Sequence, residues 1–375
     1  VQRALRLIET GALDDDGLDR LAARVGVGGR HLRRLFVEHL GASPAAVVRT
    51  HRAHLARRLL DETDLPAGEV AFAAGYRSIR RFNESIRAVF GAAPTELRGG
   101  RSRATAAGPV PGSFTVRLAH RAPFDADSLF DFFARRAIPG VEAADRATYR
   151  RTIRAGDRVG TVSVAAGPRD ALLLTVEGCG VEGLPEILAR ARRLLDLGGD
   201  PLAVDETLCR DPMLQPLVAR RPGLRLPGSW DFFELAVRAV LGQQVTVAAA
   251  RTLAHRLVER CGTAATGGNS QLTRLFPTAA AIAAADLGGL GITGARAATL
   301  RRLAAEVAAG RLEECAPGDL EAAIARLTEI RGIGPWTAHY IAMRGFGESD
   351  AFPAGDLVVR QRLGDGVAVA PAEAE

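Results

Sequence analysis

The stretch RGIGPWTAHYIAMRGFGESDAFPAGD, residues 331–356, decides the fold of the C-terminal part of this chain. Its turn, residues 332–334, stands between two helical runs, LEAAIARLTEI and WTAHYIAM. Glycines there let the backbone approach a phosphate, and amide groups at a helix N-terminus attract an anion. The stretch predicts a helix-hairpin-helix that contacts a DNA backbone through Gly332, Ile333 and Gly334, with an ordinary interhelical turn as the alternative.

Two aromatic side chains and a carboxylate follow this turn. Trp336 and Tyr340 lie one helical turn apart on one face, where a flipped, electron-poor base would stack. Asp356 comes late enough for the helix to end and a loop to return to its start. The alternatives are core packing for the aromatic pair and an N-cap of the helix LVVRQRL for Asp356.

The composition bounds the class of protein. A chain of 375 residues with 47% hydrophobic content predicts two or three domains. The net charge is +6 and all 49 basic residues are arginine, which suits phosphate, although a GC-rich coding bias also explains the missing lysine. Without lysine, no side-chain amine can form a Schiff base with a sugar aldehyde.

Cysteine usage and hydropathy give further limits. The cysteines lack the spacing of a zinc site or a disulfide framework, and no apolar run reaches membrane-spanning length. We therefore expect a cytoplasmic protein with no membrane partner. Because the chain starts at Val1 and stops at Glu375 in what reads as the opening of a helix, we expect a fragment. The four cysteines are Cys179, Cys209, Cys261 and Cys315.

Two similar patterns fill the first hundred residues. In each, a short apolar helix is followed by a glycine-containing turn, VGVGG or AGYRS, and then by a second amphipathic helix. Ser78 is placed to cap the second helix of the second pattern. This predicts two helix-turn-helix units, with a plain helical bundle bearing a solvated arginine face as the alternative. Inward residues are predicted at Leu32, Leu35, Phe36 and Leu40, and at Ile79, Phe82, Ile86 and Phe90; outward residues at Arg30, His31, Arg33, Arg34, Arg80, Arg81, Asn83 and Arg87.

The rest of the chain divides by its periodicity. Residues 99–113 are rich in Gly, Pro and small residues and predict a linker after a first domain at 1–98. Alternating runs and two helices over 114–200 predict a small α+β sheet domain. Residues 201–375 predict an all-α domain in which WDFFELAVRAVLGQQ presents Gln243 and Gln244 at a helix end. The predicted fold class is mainly α and multidomain.

The stretch EVAFAAGYRSIRRFNESIRAVFGAAPTELR resembles the second helix-turn-helix of the AraC/XylS transcription activators, and the resemblance covers residues 1–98. It implies two units entering adjacent major grooves of promoter DNA, with RNA polymerase as a further partner. We expect this half to bind duplex DNA on its own, because both units end before the linker. The implied DNA contacts are Arg30, His31, Arg33, Arg34, Arg80, Arg81 and Asn83.

Residues 114–375 resemble the helix-hairpin-helix DNA glycosylases, and within them the AlkA type of 3-methyladenine DNA glycosylase II. The resemblance implies a TBP-like sheet domain and a helical domain in which Asp356 is the catalytic carboxylate and Trp336 and Tyr340 line the base pocket. It places Gln243 and Gln244 in the loop that enters the DNA. A sodium or potassium ion would be held by the carbonyls of Thr328, Ile330 and Gly332.

Two departures refine this expectation. Relatives with lyase activity carry lysine where this chain has Trp336, so the chain resembles the monofunctional branch, and the AlkA type has an apolar wedge where Gln244 stands. The combination of the two halves resembles the fused Ada–AlkA adaptive-response proteins, which implies a bacterial, nucleoid-associated protein. The resemblance also implies a zinc-bearing sensor domain before Val1 and final helices after Glu375. The alternative is a transcription activator whose glycosylase half serves only as a DNA-binding module.

Overall fold

The structure, a computed structural model, describes residues 1–9, 17–98, 113–168, 170–265, 271–312 and 320–363. It confirms a mainly α, multidomain fold around one small sheet. Strands are β1 Ser113–Ala119, β2 Glu142–Ala144, β3 Thr148–Ala155, β4 Arg158–Ala166 and β5 Ala171–Glu177. Helices are α1 Gln2–Glu9, α2 Gly17–Arg24, α3 Gly29–Leu40, α4 Pro44–Glu62, α5 Ala67–Ala73, α6 Ile79–Phe90, α7 Pro94–Leu97, α8 Ala126–Arg136, α9 Leu184–Leu194, α10 Pro201–Leu208, α11 Gln215–Arg220, α12 Phe232–Leu241, α13 Val247–Cys261, α14 Ala279–Ala284, α15 Gly294–Ala308, α16 Leu320–Thr328, α17 Pro335–Ile341 and α18 Leu357–Leu363, with a 3-10 turn at Val181–Gly183 and a π-helical turn at Ala342–Phe346.

The two predicted helix-turn-helix units are α2 with α3 and α5 with α6, joined by α4. The Ser78 hydroxyl caps α6 by accepting from the Arg81 amide at 3.3 Å, as predicted. Leu40 and Ile79 were predicted to face inward, but 42% and 49% of their surfaces are exposed. Leu40 is the last residue of α3 and follows its buried face, and Ile79 is the first residue of α6 and precedes its buried face.

The first unit has a small core of its own, whereas the second shares one continuous core with the sheet. The chain after α4 forms an isolated antiparallel bridge from Thr63 to Val116 of β1, and α5 packs against Val181–Gly183. Residues 99–112 lie outside the described residues, and Ser113 already belongs to β1. The second unit is therefore packed on the sheet, although the sequence suggested a separate domain.

The sheet is antiparallel throughout, in the order β1-β5-β4-β3-β2. Its buried side chains alternate along β4, as expected for strands with one face on a core. Helix α8 packs on β2 and β3, where the rings of Phe133 and Tyr149 lie 4.6 Å apart. Helix α8 also touches α13, so it stands between the sheet and the helical domain.

A buried ionic network joins the sheet to α12. Arg151 of β3 contacts Glu234 of α12 at 2.6 Å, and Arg238 of α12 contacts Glu142 of β2 at 2.6 Å. Burial alone would raise the pKa of Glu234, but Arg151 and Arg238 together hold this pKa below its ordinary value. Because removal of one partner would leave a buried charge, the network fixes α12 against the sheet.

Among the described helices, none combines the length and the hydrophobicity that a membrane span requires.

We expect a charge at the packed interface to separate the second helix-turn-helix unit from the sheet. Val181 is half-buried against the shared core, so Val181→Asp should weaken the contact by about 1–3 kcal/mol. A specific protease site is placed within residues 99–112 of the full chain, and the cut protein is passed over a size-exclusion column. The two pieces of the parent protein should elute together, and those of the Val181→Asp variant should separate.

The matched control is Val204→Asp, because Val204 is 49% exposed on α10 and the new charge stays in water. Separation of the parent pieces at micromolar concentration would contradict the shared core.

Candidate functional site

The predicted hairpin is present as α16, a tight turn and α17. Gly332 has φ of +97°, a left-handed conformation that side chains rarely adopt, and a Cβ there would collide with Thr299 of α15. The Thr299 hydroxyl lies 2.9 Å from the Arg331 carbonyl and 3.1 Å from that of Ala295. The turn is thus held from α15 as well as by its own two helices.

The three residues predicted to contact phosphate differ in their surroundings. Gly332 and Gly334 are exposed, but Ile333 is buried and its amide donates to the Ile330 carbonyl at 2.9 Å. The Ile333 side chain thus anchors the turn in the core, while the two glycines form its exposed surface.

Asp356 lies between the loop after the π-helical turn and the start of α18. Its Oδ2 accepts from the indole Nε1 of Trp336 at 3.1 Å. Its Oδ1 accepts from the amides of Val358 and Val359 at 2.9 and 3.1 Å. The carboxylate therefore caps the N-terminus of α18, as the alternative interpretation of Asp356 predicted. It also lines the cavity beside the hairpin helix α17.

The aromatic pair forms one wall of that cavity. The rings of Trp336 and Tyr340 are 5.4 Å apart and nearly parallel, with an interplanar angle of 16°. Both residues are half-buried and line the open cavity, and Tyr340 also packs on the helical core. Arg344 donates to the Tyr340 hydroxyl and, through Nε, to the Pro227 carbonyl at 2.6 Å. This arginine fixes the orientation of the tyrosine.

The cavity measures about 1400 Å³ and lies between the sheet and helical domains. On the sheet side, α8 contributes Phe132, whose ring is covered by the Arg136 guanidinium at 3.9 Å. Burial lowers the pKa of Arg136 from its ordinary value. Sequence reasoning missed Phe132, Arg136 and Arg344, because no local motif shows that α8 and the π-helical turn meet across the chain.

The two glutamines of the loop between α12 and α13 face different ways. Gln244 is exposed and has φ of +55°, which is unusual for a residue with a side chain. The Gln243 Nε2 instead donates to the Gly332 carbonyl at 2.8 Å and to the Thr337 hydroxyl at 3.0 Å. Of the two predicted loop residues, Gln244 therefore presents its side chain to solvent, and Gln243 is bound to the hairpin.

The outward faces of both helix-turn-helix units are rich in arginine. The exposed candidates are Arg30, His31, Arg33, Arg34, Arg80 and Arg81, whereas Asn83 is half-buried. His31 Nδ1 lies 3.0 Å from an Arg34 nitrogen, and Arg80 forms an exposed ion pair with Glu84 at 2.9 Å. Exposed pairs of this kind contribute little stability and exchange readily for phosphate.

A hairpin turn beside an open cavity, with a stacked aromatic pair and one carboxylate on the cavity wall, defines the class of helix-hairpin-helix DNA glycosylases. Three family models match the chain in succession. They are a helix-turn-helix domain over residues 21–100, the AlkA N-terminal domain over 115–231, and the HhH-GPD superfamily of base excision DNA repair proteins over 237–365. DNA is therefore the partner of both halves.

The chain belongs to the AlkA family of bifunctional transcriptional activators and DNA repair enzymes. It is 42% identical to a probable bifunctional transcriptional activator/DNA repair enzyme AlkA of Mycobacterium tuberculosis, over 96% of this chain and 73% of that protein. It is 37% identical to DNA-3-methyladenine glycosylase 2 of Escherichia coli, over 64% of this chain and 84% of that protein. The solved 3-methyladenine DNA glycosylase of Archaeoglobus fulgidus is 25% identical, with a TM-score of 0.59 over 69% of this chain and 90% of that one.

Proposed function

We propose that this cavity excises alkylated purines, 3-methyladenine among them, by hydrolysing the bond between base and deoxyribose without cutting the strand. The observation that carries the proposal is the placement of the Asp356 carboxylate, hydrogen-bonded to Trp336 on the wall of the cavity. A protein that only clamps DNA needs the hairpin turn and arginines; capping α18 uses Oδ1 of Asp356 and does not require Oδ2 beside the aromatic pair.

The chemistry needs one carboxylate. A purine alkylated at N3 or N7 is cationic and leaves readily, so no general acid has to protonate it. Asp356 stabilises the positive charge that develops on the sugar and orients the attacking water. Flipping the base costs a few kcal/mol, which stacking on Trp336 and Tyr340 partly offsets by about 1–3 kcal/mol.

The residues of the hairpin are suited to bind the phosphate backbone of DNA. Gly332 and Gly334 would contact a phosphate, as we expected of this turn. The carbonyl oxygens of Thr328, Ile330 and Gly332 are ligands suited to Na⁺ or K⁺. Those of Ile330 and Gly332 each accept one hydrogen bond, and each has a second lone pair that could coordinate the ion. A bound ion would supply positive charge to a DNA phosphate.

For the N-terminal half, we propose promoter binding through the exposed faces of α3 and α6, with RNA polymerase as the protein that is recruited there, and a location on the bacterial nucleoid. The recognised operator sequence depends on which of these arginines contact bases and which contact phosphates.

The test is an oligonucleotide duplex that carries one 7-methylguanine. The protein should release the free base and leave an intact abasic strand, which breaks only after later alkali treatment. The physical reason is that Trp336 replaces the lysine of lyase relatives and the chain contains no lysine to attack the sugar. The products are separated on a denaturing gel without alkali, and released base is measured by chromatography.

Borohydride should trap no side-chain adduct with the DNA. Strand cutting at the rate of base release would contradict the monofunctional mechanism. DNA binding with no base release would favour a transcription activator whose glycosylase half is only a DNA-binding module.

A further inference from the structure

Gln243 stands where three parts of the site meet. Gln243 lies in the loop after α12, and its side chain reaches the hairpin turn. Its Nε2 lies 2.8 Å from the Gly332 carbonyl oxygen and 3.0 Å from the Thr337 Oγ1 of α17. Its own carbonyl accepts from Arg296 of α15 at 2.6 Å. One residue thus connects the loop after α12 to the hairpin, to the helix of the base pocket and to α15.

The chemistry of these contacts fixes the orientation of the amide. The Gly332 carbonyl can only accept, so the NH₂ end of Gln243 must face it, and this end carries the two hydrogens that the two contacts need. A carboxylate of the same shape would place an acceptor against an acceptor. Glutamine is therefore required by its donors as well as by its size.

The contact of Gln243 with the hairpin also constrains the next residue, Gln244. Gln244 is held in a left-handed conformation and is exposed, directly after the residue that is tied to the hairpin. A strained backbone conformation of this kind costs about 1–3 kcal/mol and persists only where surrounding contacts hold it. The Gln243 bonds are the contacts that fix the start of this turn on the hairpin.

We propose that Gln243 is a positioning residue that couples the hairpin's grip on the DNA backbone to the insertion of Gln244 into the gap left by the flipped base. The inference rests on the proposed glycosylase function. When the hairpin binds a phosphate, the hydrogen bond from Gln243 to the Gly332 carbonyl holds the loop after α12 at a fixed place relative to the DNA backbone. Gln244 then enters the duplex at the base pair whose base occupies the pocket of Trp336 and Tyr340.

The experiment compares the full chain with its Gln243→Glu variant on two duplexes. In one, 7-methylguanine is paired with cytosine; in the other it lies opposite a tetrahydrofuran abasic analogue, where less energy is needed to flip it. The variant should release the paired base about tenfold more slowly, and the unpaired base within about twofold of the parent rate, since only the paired base needs the inserted side chain. The matched control is Gln215→Glu, which makes the same change at an exposed position of α11.

A second measurement does not depend on bond cleavage. A 2-aminopurine next to the lesion brightens when the stack opens, and its signal with the paired duplex should be smaller for Gln243→Glu than for the parent or the Gln215→Glu control. Equal signals and equal rates would overturn the proposal. Equal slowing on both duplexes, together with a lower melting temperature, would also overturn it, because Gln243 would then only stabilise the fold. A parent protein that opens the stack but releases no base would refute the glycosylase function alone.

Discussion

Replacing Asp356 by Asn is expected to abolish base release, with a loss of at least about a thousandfold in the single-turnover rate, which corresponds to about 4 kcal/mol. The substitution keeps the size of the side chain and removes the negative charge that faces the developing cation. Asparagine is also a good N-cap, so the contacts to the amides of Val358 and Val359 and the start of α18 should survive. Release of 7-methylguanine from a labelled duplex measures the rate.

The affinity for an undamaged duplex should stay roughly unchanged, which separates chemistry from binding. Asp350→Asn is the matched control, because Asp350 is exposed in the loop that precedes Asp356 and the same charge is lost away from the cavity. Turnover that survives in the Asp356→Asn variant would remove the catalytic role of this carboxylate.

Gly332→Ala should be the most damaging small change in the hairpin. The new Cβ would collide with the Thr299 side chain, and φ of +97° is unfavourable for alanine in any case. We expect a loss of about 2–5 kcal/mol in the free energy of unfolding, from overpacking and backbone strain together, and weaker binding of duplex DNA. Urea unfolding and fluorescence anisotropy with an undamaged duplex measure the two effects.

Gly334→Ala offers the matched control, since an added Cβ at Gly334 meets no atom within 4 Å and its φ is −90°. Adding Thr299→Ala to Gly332→Ala should restore part of the lost stability, because it removes the colliding Oγ1 and Cγ2 atoms. The recovery should be incomplete, since the backbone strain and a contact to the Cβ of residue 299 at 3.2 Å remain and the hydrogen bond to the Arg331 carbonyl is lost. Equal stabilities for the two single glycine variants would show that the turn tolerates a side chain at both places.

The sequence determined the parts of the site that depend on local spacing. Helical periodicity is enough to place Trp336 and Tyr340 on one face of α17, and glycine spacing is enough to predict the turn before it. The return of Asp356 to that helix followed from chain length, and the structure joins the two by a hydrogen bond at 3.1 Å. The helix-turn-helix units were predictable for the same reason, except for Leu40 and Ile79 at the helix ends.

Only the tertiary structure decided which distant residues meet. Gln243 and Gly332 are far apart in sequence, as are Arg151 and Glu234, and no local pattern distinguishes a glutamine that enters DNA from one that bonds to a hairpin carbonyl. The same holds for the second helix-turn-helix unit, whose apolar residues indicated a core but not that the sheet supplies its other half. Periodicity reports which side of an element is buried; the partner that buries it is selected by packing across the whole chain, where shape and charge are matched between segments that share no sequence signal.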